Sequence, residues 1–571
     1  MKSVTLIFAL ALIAHTYAQN QPSKPLAIED QAMDQYLASR KIPELKIKII
    51  DSEKSLHGLQ IKYTLVHLGA ETQTTNYISL DDKDEAVIKM TENIPYQQVW
   101  LDIEDYLYTG VLVNDGLEII IDAGETKDQV FVYGKGISFK GYDAALNESL
   151  CKRMLYKKEL DELLSGRLVS ISIDAANKKL EQSVFLTIVD SIYTAMKRID
   201  DDFVQYNPGY EWAVRNETDS KLYSWAVIAL KRNSNTINSL YQRAISHKPY
   251  FMSNEGAAFY RGLGRNYAFE EEKTAPGIQQ LLYSKYDTYN SEQKAILDSI
   301  KKYESSKAEG RDTVLKKLYI SRYKLLKEEV DIANFERYML KIQENATNPR
   351  ADILKLSLME LGKDHFNKTY PMLLHSMKTI WAKQIVQNTL QQFTGMQKEV
   401  QNLFQSGKQL KADSCFIGKP VADLAFGAQL YRLDSIANID DFIFNLKSKF
   451  KGKALIIDIW ATWCGPCIAD ITNSKKLHEE SKDLPVEYVY LCTTSSSDET
   501  TWKNKIGILK PSGTHIFINE ALESAFRKKM NAEGGYPTYI VIDQKGNVHT
   551  DRISFMSELS REKFMQVTEL K

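Results

Sequence analysis

The sequence predicts a multidomain chain, with an antiparallel β-rich domain, then a mainly α-helical domain, then a C-terminal α/β domain. Three observations predict it. Apolar and polar residues alternate between about Pro43 and Gly141; apolar residues then recur every three or four positions to about Leu410; and a strand-like run, Leu455–Ile459, passes through Cys464 and Cys467 into a helix-like run. At 571 residues the chain exceeds what a single hydrophobic core supports. The expected boundaries are a signal peptide at 1–18, a β-rich sandwich-like domain at 19–141, a helical domain at 142–412 and the α/β domain at 413–571.

Lys2, the apolar run Val4–Ala14 and Thr16-Tyr17-Ala18 before Gln19 have the form of a secretory signal peptide cleaved after Ala18. The run is short for a membrane anchor, and no cysteine near the cleavage position offers a site for a lipid. The mature chain is therefore expected in an extracytoplasmic compartment such as the periplasm, with no membrane span, where disulfides form. With 43% hydrophobic and 26% charged residues, the composition is that of a globular protein. Its 73 basic and 74 acidic residues nearly cancel, which gives no whole-chain argument for nucleic acid or anionic lipid. Five cysteines are too few for a disulfide scaffold.

In the β-rich part, Leu45, Ile47 and Ile49 alternate with polar residues, as do Leu59, Ile61, Tyr63 and Leu65. Asn114-Asp115-Gly116 between Val111–Val113 and Leu117–Ile121 predicts a hairpin turn. No nucleophile, metal cluster or phosphate loop stands out here, so the expected role is binding or docking. The helical period begins with Leu146, Leu150 and Met154, continues with Leu160, Leu163 and Leu164, and returns at Leu315, Leu318, Tyr319, Leu325 and Leu326. The run Glu270-Glu271-Glu272-Lys273 is expected to be a solvated face, and Tyr283, Tyr286 and Tyr289 to belong to a core. Asn147, Asn216, Asn345 and Asn367 begin Asn-x-Ser/Thr triplets, which matter only in a eukaryotic secreted protein.

The chemistry concentrates in Leu455–Asp470, LIIDIWATWCGPCIAD. Cys464 and Cys467 fall where a buried strand meets a helix, whose free N–H groups and positive dipole end stabilise a thiolate. A zinc site would need two more ligands, but Cys151, Cys415 and Cys492 are scattered and His478 stands alone. A purely structural disulfide over so short a loop removes little chain entropy. A redox-active dithiol accounts best for the pair.

WATWCGPC after a strand, with Asp458 six positions before Cys464, resembles the thioredoxin superfamily. Ile417-Gly418-Lys419-Pro420, Ala422-Asp423-Leu424 and Lys451-Gly452-Lys453 narrow the resemblance to TlpA/ResA-like thiol-disulfide oxidoreductases, of the Bacteroidetes type with a large N-terminal extension. It implies a thioredoxin-like fold from about Ile417 to the end. The expected elements are strand Leu455–Ile459, a helix from Cys464, strand Val486–Thr493, an inserted element within Thr494–Asn519, a helix over Glu520–Met530, strands Thr538–Asp543 and Val548–Ile553, and a last helix after Ser557.

The resemblance also implies roles. Cys464 is the exposed nucleophile and Cys467 resolves the mixed disulfide, the two forming a redox-active disulfide. Asp458, alone in an apolar strand, is expected to be buried, with a raised pKa suited to taking the proton of Cys467. Tyr536-Pro537 matches the cis-proline turn facing the cysteines, which presents backbone to substrate and keeps metal away. Trp463, Gly465, Pro466, Tyr536 and Pro537 are the expected substrate-binding residues, with Trp460 helping to shape the surface and Gly465-Pro466 favouring a reducing poise. No cofactor or metal is implied; the implied partners are disulfide-containing protein substrates and a membrane electron donor. Ile468-Ala469-Asp470-Ile471 departs from relatives that carry a basic residue, a glutamate and a proline, so an unkinked helix is expected. The other function class is a ligand- or partner-binding protein whose thioredoxin-like domain is structural or redox-sensing.

Overall fold

A computed structural model of the chain describes residues 25–90, 92–126, 128–231, 239–269, 275–305, 321–322, 325–410, 415–436, 438–495, 497–532 and 534–570. The expected signal peptide, the run Glu270–Lys273, and Leu315, Leu318 and Tyr319 lie outside these residues. The chain divides into two compact units between Leu390 and Gln391.

In the N-terminal unit a short helix, Met33–Ser39, precedes nine strands: β1 (Glu44–Ile50), β2 (Gln60–Val66), β3 (Gln73–Ser79), β4 (Glu85–Lys89), β5 (Gln97–Ile103), β6 (Leu107–Val113), β7 (Leu117–Asp122), β8 (Val130–Phe131) and β9 (Ile137–Lys140). They form two sheets, ordered β4-β1-β7-β9 and β3-β2-β5-β6-β8, antiparallel except for the pairs β1·β7 and β6·β8. Alternating residues of both sheets, among them Leu45, Ile47, Ile61, Val99, Val111 and Ile119, share one core.

The predicted hairpin at Asn114-Asp115-Gly116 does not form. β6 and β7 belong to different sheets, and the turn carries the chain from one to the other. One Oδ2 of Asp143 accepts the backbone N–H groups of Asn114, Asp115 and Gly116 at 2.8, 2.9 and 3.0 Å, a grip that a two-strand turn signal does not encode. The buried amide of Asn147 pairs with both the N–H and the C=O of Leu112, at 2.7 and 2.8 Å, so this triplet presents no free asparagine.

Helices follow, beginning with Ala144–Leu155, Lys158–Ala176, Gln182–Tyr206 and Glu211–Lys231 and reaching Ile380–Ser406. The period found the helices better than it found their inner faces. Leu146 is buried, but Met154, Leu160 and Leu163 are exposed. Tyr283, Tyr286 and Tyr289, expected in a core, are only partly buried and pack against the cluster of Leu281, Leu282, Leu297 and Ile300 from its edge.

The C-terminal unit is built on seven strands: β10 (Lys419–Leu424), β11 (Ala428–Leu433), β12 (Ala454–Trp460), β13 (Val486–Thr493), β14 (Gly513–Ile518), β15 (Thr538–Ile542) and β16 (Val548–His549). Their order is β10-β11-β14-β13-β12-β15-β16. β11, β14, β13 and β12 run parallel; β15 returns antiparallel to β12. This is a thioredoxin-like fold. Every residue of β12 is buried, because helices cover both faces of a central strand. The inserted segment supplies helix Glu499–Leu509 and β14, which enters the sheet between β11 and β13. Gly513 opens β14 with φ +127, where an added Cβ would lie 2.5 Å from the carbonyl oxygen of Tyr488. The final strand is shorter than expected, ending at His549.

Candidate active site

β12 ends in Trp460, which is buried beneath the site rather than shaping its surface. The chain then surfaces at Trp463, 53% exposed, and turns into helix Gly465–Asn473. Cys464 is the N-cap of that helix, and Pro466 occupies its first turn, where a missing N–H costs nothing. Cys464 and Cys467 are joined in a disulfide with Cα atoms 5.3 Å apart. The sulfur of Cys464 accepts the backbone N–H of Cys467 at 3.1 Å. Cys464 keeps 4% of its surface and Cys467 none, so the expected nucleophile is the more accessible of the two by a narrow margin. The helix breaks at Ser474 before resuming as Lys475–Glu480, although no proline is present.

The Tyr536–Pro537 bond is cis, as the resemblance implied. The Tyr536 ring meets that of Trp463 edge-on at 5.5 Å, and it packs against the apolar cluster that holds Cys464, Cys467, Trp460 and Cys492. The indole N–H of Trp463 donates to the carbonyl of Ser495 at 2.7 Å. Trp463 and Tyr536 thus stand together beside the disulfide, with Gly465 and Pro466 exposed on the helix start. Burial pushes the Cys492 thiol well above its ordinary value and suppresses its nucleophilic form.

Asp458 lies buried in β12, and its Oδ1 has no hydrogen-bond partner. Burial, then the nearby Asp470 carboxylate, push the carboxyl well above the usual range, against the lowering effect of Tyr539. Beside it is a small cavity of about 10 Å³, lined in part by Asp458, Ser474, His478, Tyr490 and Tyr539, about large enough for one water. Burial lowers His478 to about 4, so this imidazole is neutral near pH 7, stacked on Tyr488 at 3.9 Å. Asp470, Tyr539, Tyr490 and His478 were not expected to surround Asp458. For Asp470 a signal existed, since it lies three residues after Cys467 and so on the same helix face.

Glu523 and Arg527, also not anticipated, form a buried i,i+4 pair under the cis-proline loop, at 2.8 Å. Among the described residues Asp543, His549 and Glu569 bring possible metal-ligand atoms within 4.8 Å of one another, but this group includes no cysteine. Its carboxylates are already engaged, Asp543 by Asn547 and Glu569 by Arg552, each at 2.8 Å.

Residues 438–563 match the Redoxin family model. The matched segment contains Asp458, both cysteines and Pro537. The thioredoxin-like protein YneN of Bacillus subtilis (strain 168) is 27% identical over 118 residues, 20% of this chain and 63% of that protein, so the chain spans under two thirds of that relative's length. Among solved structures, a thiol:disulfide interchange protein of the thioredoxin family from Chlorobium tepidum TLS is 24% identical, covering 22% of this chain and 82% of its own, with a TM-score of 0.19. The thioredoxin domain of a thiol-disulfide oxidoreductase from Bacteroides vulgatus is 20% identical over 21% of this chain and 81% of its own, with a TM-score of 0.18.

Proposed function

We propose that the protein is an extracytoplasmic thiol-disulfide oxidoreductase that reduces protein disulfides through Cys464 and Cys467. The observation that carries the reading is the N-cap position of Cys464, whose sulfur already accepts a helix N–H, a setting that stabilises the thiolate released when the disulfide opens. In the reduced protein the Cys464 thiolate attacks a substrate disulfide and expels one substrate thiolate. Cys467, losing its proton, then attacks Cys464 in the mixed disulfide and expels the second. Two electrons pass to the substrate and the protein is left with the Cys464–Cys467 disulfide. Asp458, titrating well above an ordinary carboxyl, is the proton acceptor for Cys467, and Tyr536-Pro537 with Trp463, Gly465 and Pro466 contacts the substrate chain. A membrane donor returns the electrons. The leader-like residues 1–18 support the compartment, and no helix of the described residues is long and apolar enough to cross a membrane.

Titration of the mature protein in glutathione or dithiothreitol buffers, with a disulfide-reduction assay, tests this. Reversible cycling is expected, with activity lost in Cys464→Ser and mixed disulfides accumulating in Cys467→Ala. Full activity in Cys464→Ser would refute it. A second reading, a ligand-binding N-terminal unit, is favoured by a cavity of about 190 Å³ lined by Leu37, Ile94, Trp381 and Ile385.

A further inference from the structure

Glu523 and Arg527 lie on helix Glu520–Met530, 6% and 8% exposed. Two buried charges are rarely stabilised by mutual attraction alone; they need further bonds. Here the further bonds go to the loop that carries cis-Pro537 and to Thr538, the first residue of β15. Arg527 donates from Nη1 to the carbonyl of Ala532 at 3.1 Å and to Oγ1 of Thr538 at 3.0 Å, and from Nη2 to the carbonyl of Gly535 at 3.4 Å. Its guanidinium lies over the Tyr536 ring at 4.9 Å, and Glu523 accepts the Tyr536 hydroxyl at 2.6 Å. Gly535 has nothing within 4 Å of where a Cβ would be, so packing does not hold the loop at that point. One side-chain pair therefore fixes the ring and both flanks of Tyr536.

That ring forms an aromatic corner with Trp463 beside Cys464. The exposed or partly exposed helix residues nearest to Cys464, Gly465, Pro466, Ile468 and Ala469, carry no charge. We propose that Glu523 and Arg527 are positioning residues that hold Tyr536 as one wall of the substrate groove, selecting polypeptide disulfides with an apolar or aromatic side chain next to the attacked cysteine. This deepens the thiol-disulfide reading above and rests on it.

The test uses the full mature chain with three substrates: two disulfide-linked peptides that differ by Phe or Ser next to the cysteine, and hydroxyethyl disulfide, which is too small to reach the wall. The wild type is expected to favour the Phe peptide about tenfold in kcat/KM, through KM, the size of one good aromatic contact. Arg527→Lys keeps the charge but loses the fork that reaches several acceptors at once, so it should lose the preference while the hydroxyethyl disulfide rate and the redox potential hold. Glu523→Gln still accepts the Tyr536 hydroxyl and should retain most of the preference. Tyr536→Ala, which leaves the buried pair intact, should abolish it even if Arg527→Lys folds poorly. Equal wild-type rates on the Phe and Ser peptides, or a preference that survives Arg527→Lys or Tyr536→Ala, would overturn the inference while leaving the thiol chemistry standing. No wild-type reaction with hydroxyethyl disulfide would overturn the underlying reading and the inference with it.

Discussion

Tyr539 donates its hydroxyl to Asp470 while lying directly across from Asp458 in the β12·β15 pair. Asp470 also accepts the backbone N–H groups of Met556 and Ser557, both at 2.9 Å, so one buried carboxylate joins the cysteine helix, β15 and the turn before the last helix. After burial, the nearness of Asp470 is the second cause that raises Asp458, which lacks a partner for Oδ1.

A stability test follows for Asp458. Its folded pKa lies above the unfolded value of 3.8, so the folded state binds the proton more tightly. Its contribution is fully present below that pH and is lost progressively as pH rises toward the folded pKa. Asp458→Asn removes this loss. The variant should melt several degrees higher than the wild type near pH 8, each kcal/mol being worth roughly 2–4 °C in a domain of this size, with the gap closing near pH 4. Thermal unfolding at the two pH values checks it, and a gap that widens toward acid would contradict the assignment.

The same substitution should slow chemistry. With no carboxyl to take the proton of Cys467, resolution of a mixed disulfide should fall by about 10²-fold near neutral pH, in the range of general acid–base effects. Attack by Cys464 should change far less. Stopped-flow kinetics with a fluorescent peptide disulfide separates the two steps, and equal slowing of both would assign Asp458 a structural role instead.

In the N-terminal unit, Asp143→Ala deprives three N–H groups of the 114–116 turn of their shared acceptor. A buried unsatisfied donor costs about 1–3 kcal/mol, so a loss of at least about 2 kcal/mol is expected in urea unfolding. Hydrogen exchange at Asn114, Asp115 and Gly116 should quicken first. Exchange as slow as in the wild type would show that other acceptors suffice.

Legibility in the sequence followed the range of the interaction. Cys464, Cys467 and Pro466 could be placed because a strand-to-helix junction and an N-cap are local patterns, and β12 because the apolar run Leu455–Ile459 with one acid is distinctive, though the strand extends one residue farther at each end. The turn at Asn114-Asp115-Gly116 was misassigned because its partner, Asp143, is 27 to 29 residues away. The spacing of Asp470 from Cys467 could put it on the cysteine face of the helix, but not reveal its ties to Tyr539 and Met556, which span 69 and 86 residues. Trp460 and Trp463 look alike in sequence; only the sheet decides that one is buried and the other exposed. Glu523 and Arg527 have the spacing of an ordinary surface pair, and no local pattern reveals that a loop folds over them.

Two buried imidazoles give the C-terminal unit an acid limit opposite in sign to the Asp458 effect. His478 and His515 are each lowered from 6.5 to about 4, chiefly by burial. His515 Nε2 lies 2.9 Å from the carbonyl of Pro511, which makes it the protonated nitrogen of a neutral ring stacked on Tyr490. A folded pKa below the unfolded one means that stability is fully present above pH 6.5 and is lost as pH falls toward 4. Each ring is worth roughly 3 kcal/mol over that window, enough to unfold a marginal domain. His515→Gln and His478→Gln should lower stability near pH 7, where packing and the bond to Pro511 are weakened, yet flatten the decline below pH 6. Thermal midpoints taken from about pH 7 to pH 4.5 decide the matter. A wild-type midpoint that does not fall across that range, or variants that fall as steeply, would mean that the two rings are not held neutral by the fold.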